Sequence, residues 1–221
     1  MFVIIMSIYN DTIVHAFCES RLTGGPPEYL NSITSLYMTF LSFSVLWRKE
    51  LYLKSMTKIV YLLMAINGIA SMLYHAKLTY SYKLADEYTM ILPISLGVAN
   101  FADKLLQSYK SIIFNFFYLS YNVYIMILDT DLANDTKFPW FFTVDLFILF
   151  YLYFLAYKKG RDPKKIGLEG IMLCAGSSIV WTVTEYLCEV MPIIGIVGHS
   201  IWHIGMPLGF HRIIIFMDKN F

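Results

Sequence analysis

The chain has 221 residues, 57% of them apolar and 15% charged, with a formal net charge of +1 and a mean hydropathy of +0.57. A soluble domain carries about 25% charged residues, so this composition excludes an ordinary water-soluble fold. The near-neutral balance gives no reason to expect nucleic acid as a partner. The chain reads as one integral membrane domain over 1–221, with the bilayer as its solvent.

The opening MFVIIMSIY is apolar but lacks a basic leader and is too short to span, so it does not read as a signal peptide. GGPP at 24–27 then marks a bend before the first long apolar run. Seven such runs follow, at 31–47, 57–75, 86–102, 111–128, 139–157, 167–187 and 193–216. Each is long enough to cross about 30 Å of hydrocarbon at 1.5 Å per residue. Backbone groups in lipid must be satisfied within the segment, so the runs are helices. The expected fold is all-α and polytopic, with seven transmembrane helices. Pro93 and Pro207 interrupt the third and seventh runs, a break that membrane helices tolerate near cavities.

The loops set an orientation. Arg48, Lys49, Lys54 and Lys58 follow the first run, Lys104 and Lys110 the third, and KKGRDPKK the fifth. LDTDLANDTK and Glu189 lie in loops of the other parity, although AKLTYSYKL there carries two lysines. The Lys/Arg bias puts the basic loops in the cytosol, the N-terminus outside and the C-terminus inside. Cys18, Cys174 and Cys188 form no CxxC pair and suggest no disulfide framework. Cys174 and Cys188 read as small core residues.

Polar groups inside a membrane are costly and need a partner or a site. Three stretches stand out: SMLYH with Ser71 and His75, LADEY with Asp86 and Glu87, and GHSIWHIG with His199 and His203. The orientation places all three at the outer face. His199 and His203, at i and i+4, share one side of a helix. Three neutral histidines can hold Zn²⁺ and leave a fourth position for water, whose pKa the ion lowers. Asp86 then serves as general base and Ser71 as oxyanion donor. Plainer readings stand beside these. The histidines could form a polar seam in a helix bundle, Ser71 could be a packing hydroxyl, and Asp86 with Glu87 could cap the third helix. His211, two turns beyond His203, reads as an interfacial residue.

The stretch GIASMLYHAKLTYSYKLADEYTM resembles the second-to-third helix signature of the alkaline ceramidases, within a superfamily of seven-helix membrane hydrolases. Gly68, Ser71, His75, Leu78, Asp86, Glu87 and Met90 stand at matching places. Tyr74 replaces a Phe, and Lys77 and Thr89 replace a Thr and a Pro. Near the C-terminus Trp181, Cys188, Gly198, His199, Trp202 and His203 match again, while Thr184 stands where the family usually has an aspartate. CES at 18–20 and EYLNS at 28–32 resemble the family's N-terminal elements. The resemblance implies zinc at His75, His199 and His203, Ser71 and Asp86 in the hydrolytic machinery, and cleavage of ceramide to sphingosine and a fatty acid. It further implies an endoplasmic reticulum or Golgi membrane with a lumenal N-terminus. Animal members also carry a calcium site. Here Ala16 and Phe17 replace its Asp-Trp pair and Arg21 its asparagine, leaving Glu19 and Glu28 as a remnant. Calcium wants six to eight oxygen ligands, so no calcium site of the usual form is expected, and Arg21 is a candidate to neutralise one of these carboxylates. Other readings are an ester-cutting lipid hydrolase and a non-enzymatic receptor or structural protein that keeps the metal as a helix clamp.

Overall fold

In a computed structural model, residues 17–48, 53–106, 108–128, 137–160 and 165–221 are described. They form a short helix, α1 (Cys18–Thr23), and seven long ones: α2 (Tyr29–Trp47), α3 (Ser55–Lys77), α4 (Tyr80–Leu105), α5 (Ser108–Leu128), α6 (Lys137–Lys158), α7 (Ile166–Tyr186) and α8 (Pro192–Asn220). The described residues outside these helices form the turns, bends and irregular stretches that connect them. Segment 55–77, the 141–158 part of α6, 166–186 and 192–220 are each long and apolar enough to cross a membrane. The fold is therefore an all-α bundle of a multi-pass membrane protein. The opening MFVIIMSIY, Ala16, Lys49, the potential glycosylation sequons at Asn10 and Asn134, and the middle of KKGRDPKK lie outside the described residues.

The long helices follow the apolar runs and each begins one to six residues ahead of its run. α4 begins at Tyr80, six residues before Asp86, so Asp86 and Glu87 sit in its second turn and do not cap it. Pro93 and Pro207 lie inside α4 and α8 without ending either.

The bundle has a hydrophobic core around Tyr61, Met64, Phe101 and Phe216, but α2 turns a polar side inward. α2 buries Asn31, Ser32, Ser35, Thr39 and Ser42, while Phe40 (67% exposed) and Trp47 (89% exposed) face outward. Lipid is as apolar as leucine, so helices associate through small residues and interhelical hydrogen bonds. Thr39 donates to the Ala65 carbonyl of α3 at 2.9 Å. A Cβ on Gly68 would meet the Thr39 backbone nitrogen at 2.8 Å. The α7–α8 seam follows the same rule. Gly170 and Gly209 approach so closely that a Cβ on either would lie 2.7 Å from the other's carbonyl oxygen. α8 packs between α7 and α2, and α3 lies between α2 and α4. That order brings the ends of α3 and α8 together.

One expectation fails here. Cys18 and Cys188 form a disulfide across 170 residues, joining α1 to the turn between α7 and α8. No short spacing announces this pair because the link is made by tertiary packing. Cys188 is thus a cross-link, whereas Cys174 is a free, buried thiol.

Candidate metal centre

The last turn of α3 carries His75, and the third and fourth turns of α8 carry His199 and His203. All three are buried, with one ligand nitrogen from each lying within 4.8 Å of the others. The ring centroids are 4.5–5.0 Å apart. The i, i+4 spacing on α8 and the α3–α8 contact therefore make one cluster out of distant sequence.

Outer partners decide which ring nitrogens face inward. His75 Nδ1 donates to Glu28 Oε2 at 2.6 Å, leaving Nε2 for an ion. His203 Nδ1 lies 3.0 Å from Thr34 Oγ1. The Thr34 hydroxyl already donates to the Leu30 carbonyl, so it accepts here, and His203 Nε2 is buried without a protein partner. His199 Nδ1 is buried and unpaired as well. Unpaired buried nitrogens are costly, and two of them within a three-histidine cluster fit a bound cation. Three imidazoles are a donor set that suits Zn²⁺.

Glu28 and Glu19 are both engaged with the protein. Glu28 accepts from the Ser20 amide at 3.2 Å and the Asn31 side chain at 3.3 Å, besides His75. Burial disfavours its charge, but the hydrogen bonds from His75, Ser20 and Asn31 outweigh this and hold the carboxyl below its ordinary range. Glu19 accepts from the Leu30 and Asn31 amides at 2.8 and 3.0 Å, capping the otherwise unpaired first turn of α2. Arg21 turns away from both carboxylates and pairs with Glu185 at 2.7 Å.

Asp86 is buried on α4, where the Asn67 side chain donates to its Oδ1 at 3.1 Å. The Ser71 hydroxyl receives a hydrogen bond from Ser35 at 3.1 Å. His75, Asp86 and His199 line one cavity of about 590 Å³, whose far wall is Phe142, Leu146 and Phe150 of α6. Ser71 lies to the side, against a second void of about 20 Å³ that Ser35, Asn67 and His203 also border. All five predicted site residues are thus gathered at one end of the bundle, and Glu28 joins them through His75.

Several neighbours were not read from sequence as part of the site. Glu28 as the partner of His75 depends on how the chain turns at 24–28. Phe17 closes over the cluster, 4.4 Å from the His199 ring, and Trp181 flanks His199 at 4.9 Å. Thr184 bonds back to its own helix and packs on Gly198. His211 lies away from the cluster, half-buried and bonded to Tyr61 Oη at 2.7 Å.

Comparison with known proteins agrees with this geometry. The profile of a family described as Ceramidase matches residues 11–219. A Dictyostelium discoideum protein named as an alkaline ceramidase is 28% identical over 197 residues, covering 77% of this chain and 67% of its own.

Proposed function

The chain belongs to the ceramidase family, and on that premise we propose that it is a zinc-dependent amide hydrolase that cleaves ceramide, or a close sphingolipid relative, into a sphingoid base and a fatty acid. The observation that carries this reading is the buried histidine trio, with its unpaired nitrogens, opening beside Asp86 into a largely apolar cavity.

His75 and His203 through Nε2, and His199 through Nδ1, would hold the ion. Zinc there supplies a Lewis acid that acidifies water and polarises a carbonyl. Asp86 takes the proton from the attacking water and delivers it to the departing amine nitrogen. An amide needs that delivery, because an unprotonated amine anion is a poor leaving group. Asn67 fixes the Asp86 carboxyl for this task. Ser71 supplies a hydroxyl donor to the charge that develops on the carbonyl oxygen. The aromatic wall of α6 holds an acyl chain, and the outward-facing Phe147 and Ile179 at the cavity rim give the lipid a sideways route from the bilayer.

We place all seven long helices across the membrane, with the N-terminus lumenal in an endoplasmic reticulum or Golgi membrane. The Cys18–Cys188 disulfide supports that orientation, since such bonds persist in oxidising compartments.

Purified protein offered ceramides and glycerolipid esters separates the readings. Release of sphingoid base is expected. Cleavage confined to esters would move the assignment to another lipid hydrolase. Asp86→Asn should keep zinc and fold while turnover drops by about 10²–10⁴-fold, the scale of general acid–base help. Wild-type turnover in that variant would remove Asp86 from the mechanism. If zinc-loaded wild type cuts no lipid, the metal is a helix clamp.

A further inference from the structure

Gly97 is buried within α4, yet a Cβ built on it would meet nothing within 4 Å. The other buried glycines of the described helices behave differently. Gly68, Gly167, Gly170, Gly195, Gly198 and Gly209 each have a neighbouring atom under 3.0 Å from where a Cβ would stand. Gly97 borders a void of about 30 Å³ between α3, α4, α6 and α8, whose walls include Met64, Ile94, Leu149 and Ile213. Packed interiors leave few spaces larger than a water molecule. A space walled by apolar side chains stays dry and takes an apolar guest.

This void continues the catalytic cavity down the same helix faces. On α4, Met90 walls the cavity, while Ile94 and Gly97, four and seven residues further on, wall the void. Residues so spaced share one side of a helix. On α6, Leu146 and Phe150 wall the cavity and Leu149 the void. The space of about 20 Å³ beside Ser71 lies between them, sharing Met90 and Trp202 with the cavity and Phe210 with the void. Gly97 stands eleven residues beyond Asp86 on α4, about 16 Å along the axis. A hexanoyl chain held at the metal centre falls short of that depth, whereas a stearoyl chain reaches it.

We propose that the void receives the end of the substrate's acyl chain, and that the missing side chain at Gly97 sets how long a chain is accepted. The proposal rests on the hydrolase reading above and makes the substrate a long-chain amide. The tail passes Met90 and Phe210, whose side chains stand between the spaces. Met90 gives way because its thioether chain turns about three bonds. No bond is made or broken at this depth. The void acts on the choice of substrate and leaves the chemistry at the metal centre alone.

The test measures kcat/KM on ceramides that share one sphingoid base and carry acyl chains from hexanoyl to stearoyl. Wild type is compared with Gly97→Leu, Gly97→Ala and Leu149→Ala, each checked for zinc content and Tm. Wild type is expected to prefer the longer chains. Gly97→Leu fills the void and should lower kcat/KM on stearoyl ceramide by about tenfold or more, the scale set by a methylene that no longer fits. Hexanoyl ceramide should be cleaved as before. Gly97→Ala should shift the preference less in the same direction, and Leu149→Ala, which enlarges the void, towards longer chains. These two carry the test if Gly97→Leu folds poorly. A chain-length profile unchanged in all the folded variants would overturn the proposal, leaving the void as packing and the hydrolase reading intact. Profiles that follow the length of the sphingoid base and ignore the acyl chain would overturn it too, giving the void to the other tail. A wild type that cleaves neither hexanoyl nor stearoyl ceramide would overturn the ceramide reading, and this proposal with it.

Discussion

At the residue scale the three histidines differ in how they are held, and the differences predict how they fail. His203 offers an unpaired Nε2 from the middle of α8. His203→Ala should leave two ligands and lose most of the roughly one zinc per chain that a three-histidine site implies, as elemental analysis of the purified protein would read. A folded, metal-free and active wild type would remove the site altogether. Glu28 sits behind His75 at 2.6 Å, where it fixes the tautomer that points Nε2 at the ion. Such outer partners typically contribute about 10–100-fold to metal affinity. Glu28→Gln should weaken zinc binding on that scale in a competition titration with a chelator, and unchanged affinity would make the bond merely structural. His75, His199 and His203 were legible in the sequence because imidazole is conspicuous in an apolar run and i, i+4 spacing survives into the helix. Glu28 was legible as a carboxylate but not as a partner of His75, since no local pattern encodes a contact made across a bend. Arg21 shows the same limit from the other side: Glu19 stands two residues away in sequence, yet the partner of Arg21 is Glu185 on α7.

At the scale of elements, hydropathy finds where a helix crosses hydrocarbon better than where it stops. α4 begins six residues ahead of the run that announced it, because Tyr80, Lys83 and Leu84 are buried by packing that a hydropathy window cannot see. The seams were harder still to read, as a glycine inside an apolar run looks like any other small residue until its neighbour is known. Gly170 has the Gly209 carbonyl oxygen 2.7 Å from where a Cβ would be, and that oxygen belongs to backbone and cannot turn aside. Gly170→Ala should push α7 and α8 apart at a cost of about 1–3 kcal/mol, the usual range for overpacking. Thermal unfolding in detergent would show it as a lowered Tm. An unchanged Tm would mean that the seam relaxes freely. Because His199 and His203 ride on α8 above this seam, the same variant should also hold zinc less tightly.

At the scale of the molecule, the proposed orientation draws on two separate features, the charge of the loops and the chemistry of the cysteines. The basic segment around Lys158–Lys159 belongs at one face, and the disulfide with the histidine cluster at the other. Amine labelling in sealed vesicles should therefore reach Lys159 from the cytosolic side, and labelling only from the lumen would reverse the arrangement. The disulfide itself could not be anticipated from spacing, because 170 residues separate its halves and only the finished bundle brings them together. The metal ligands are distributed in the same way, with His75 on α3 and the other two on α8, the last helix in chain order. A ribosome-bound chain that has inserted α1 through α7 therefore holds a single ligand and an unpaired Cys18. It lacks two of the three histidines of the cluster. On the hydrolase reading, activity against the lipids of the surrounding bilayer arrives only when α8 does, and a bound metal would mark the chains that were completed.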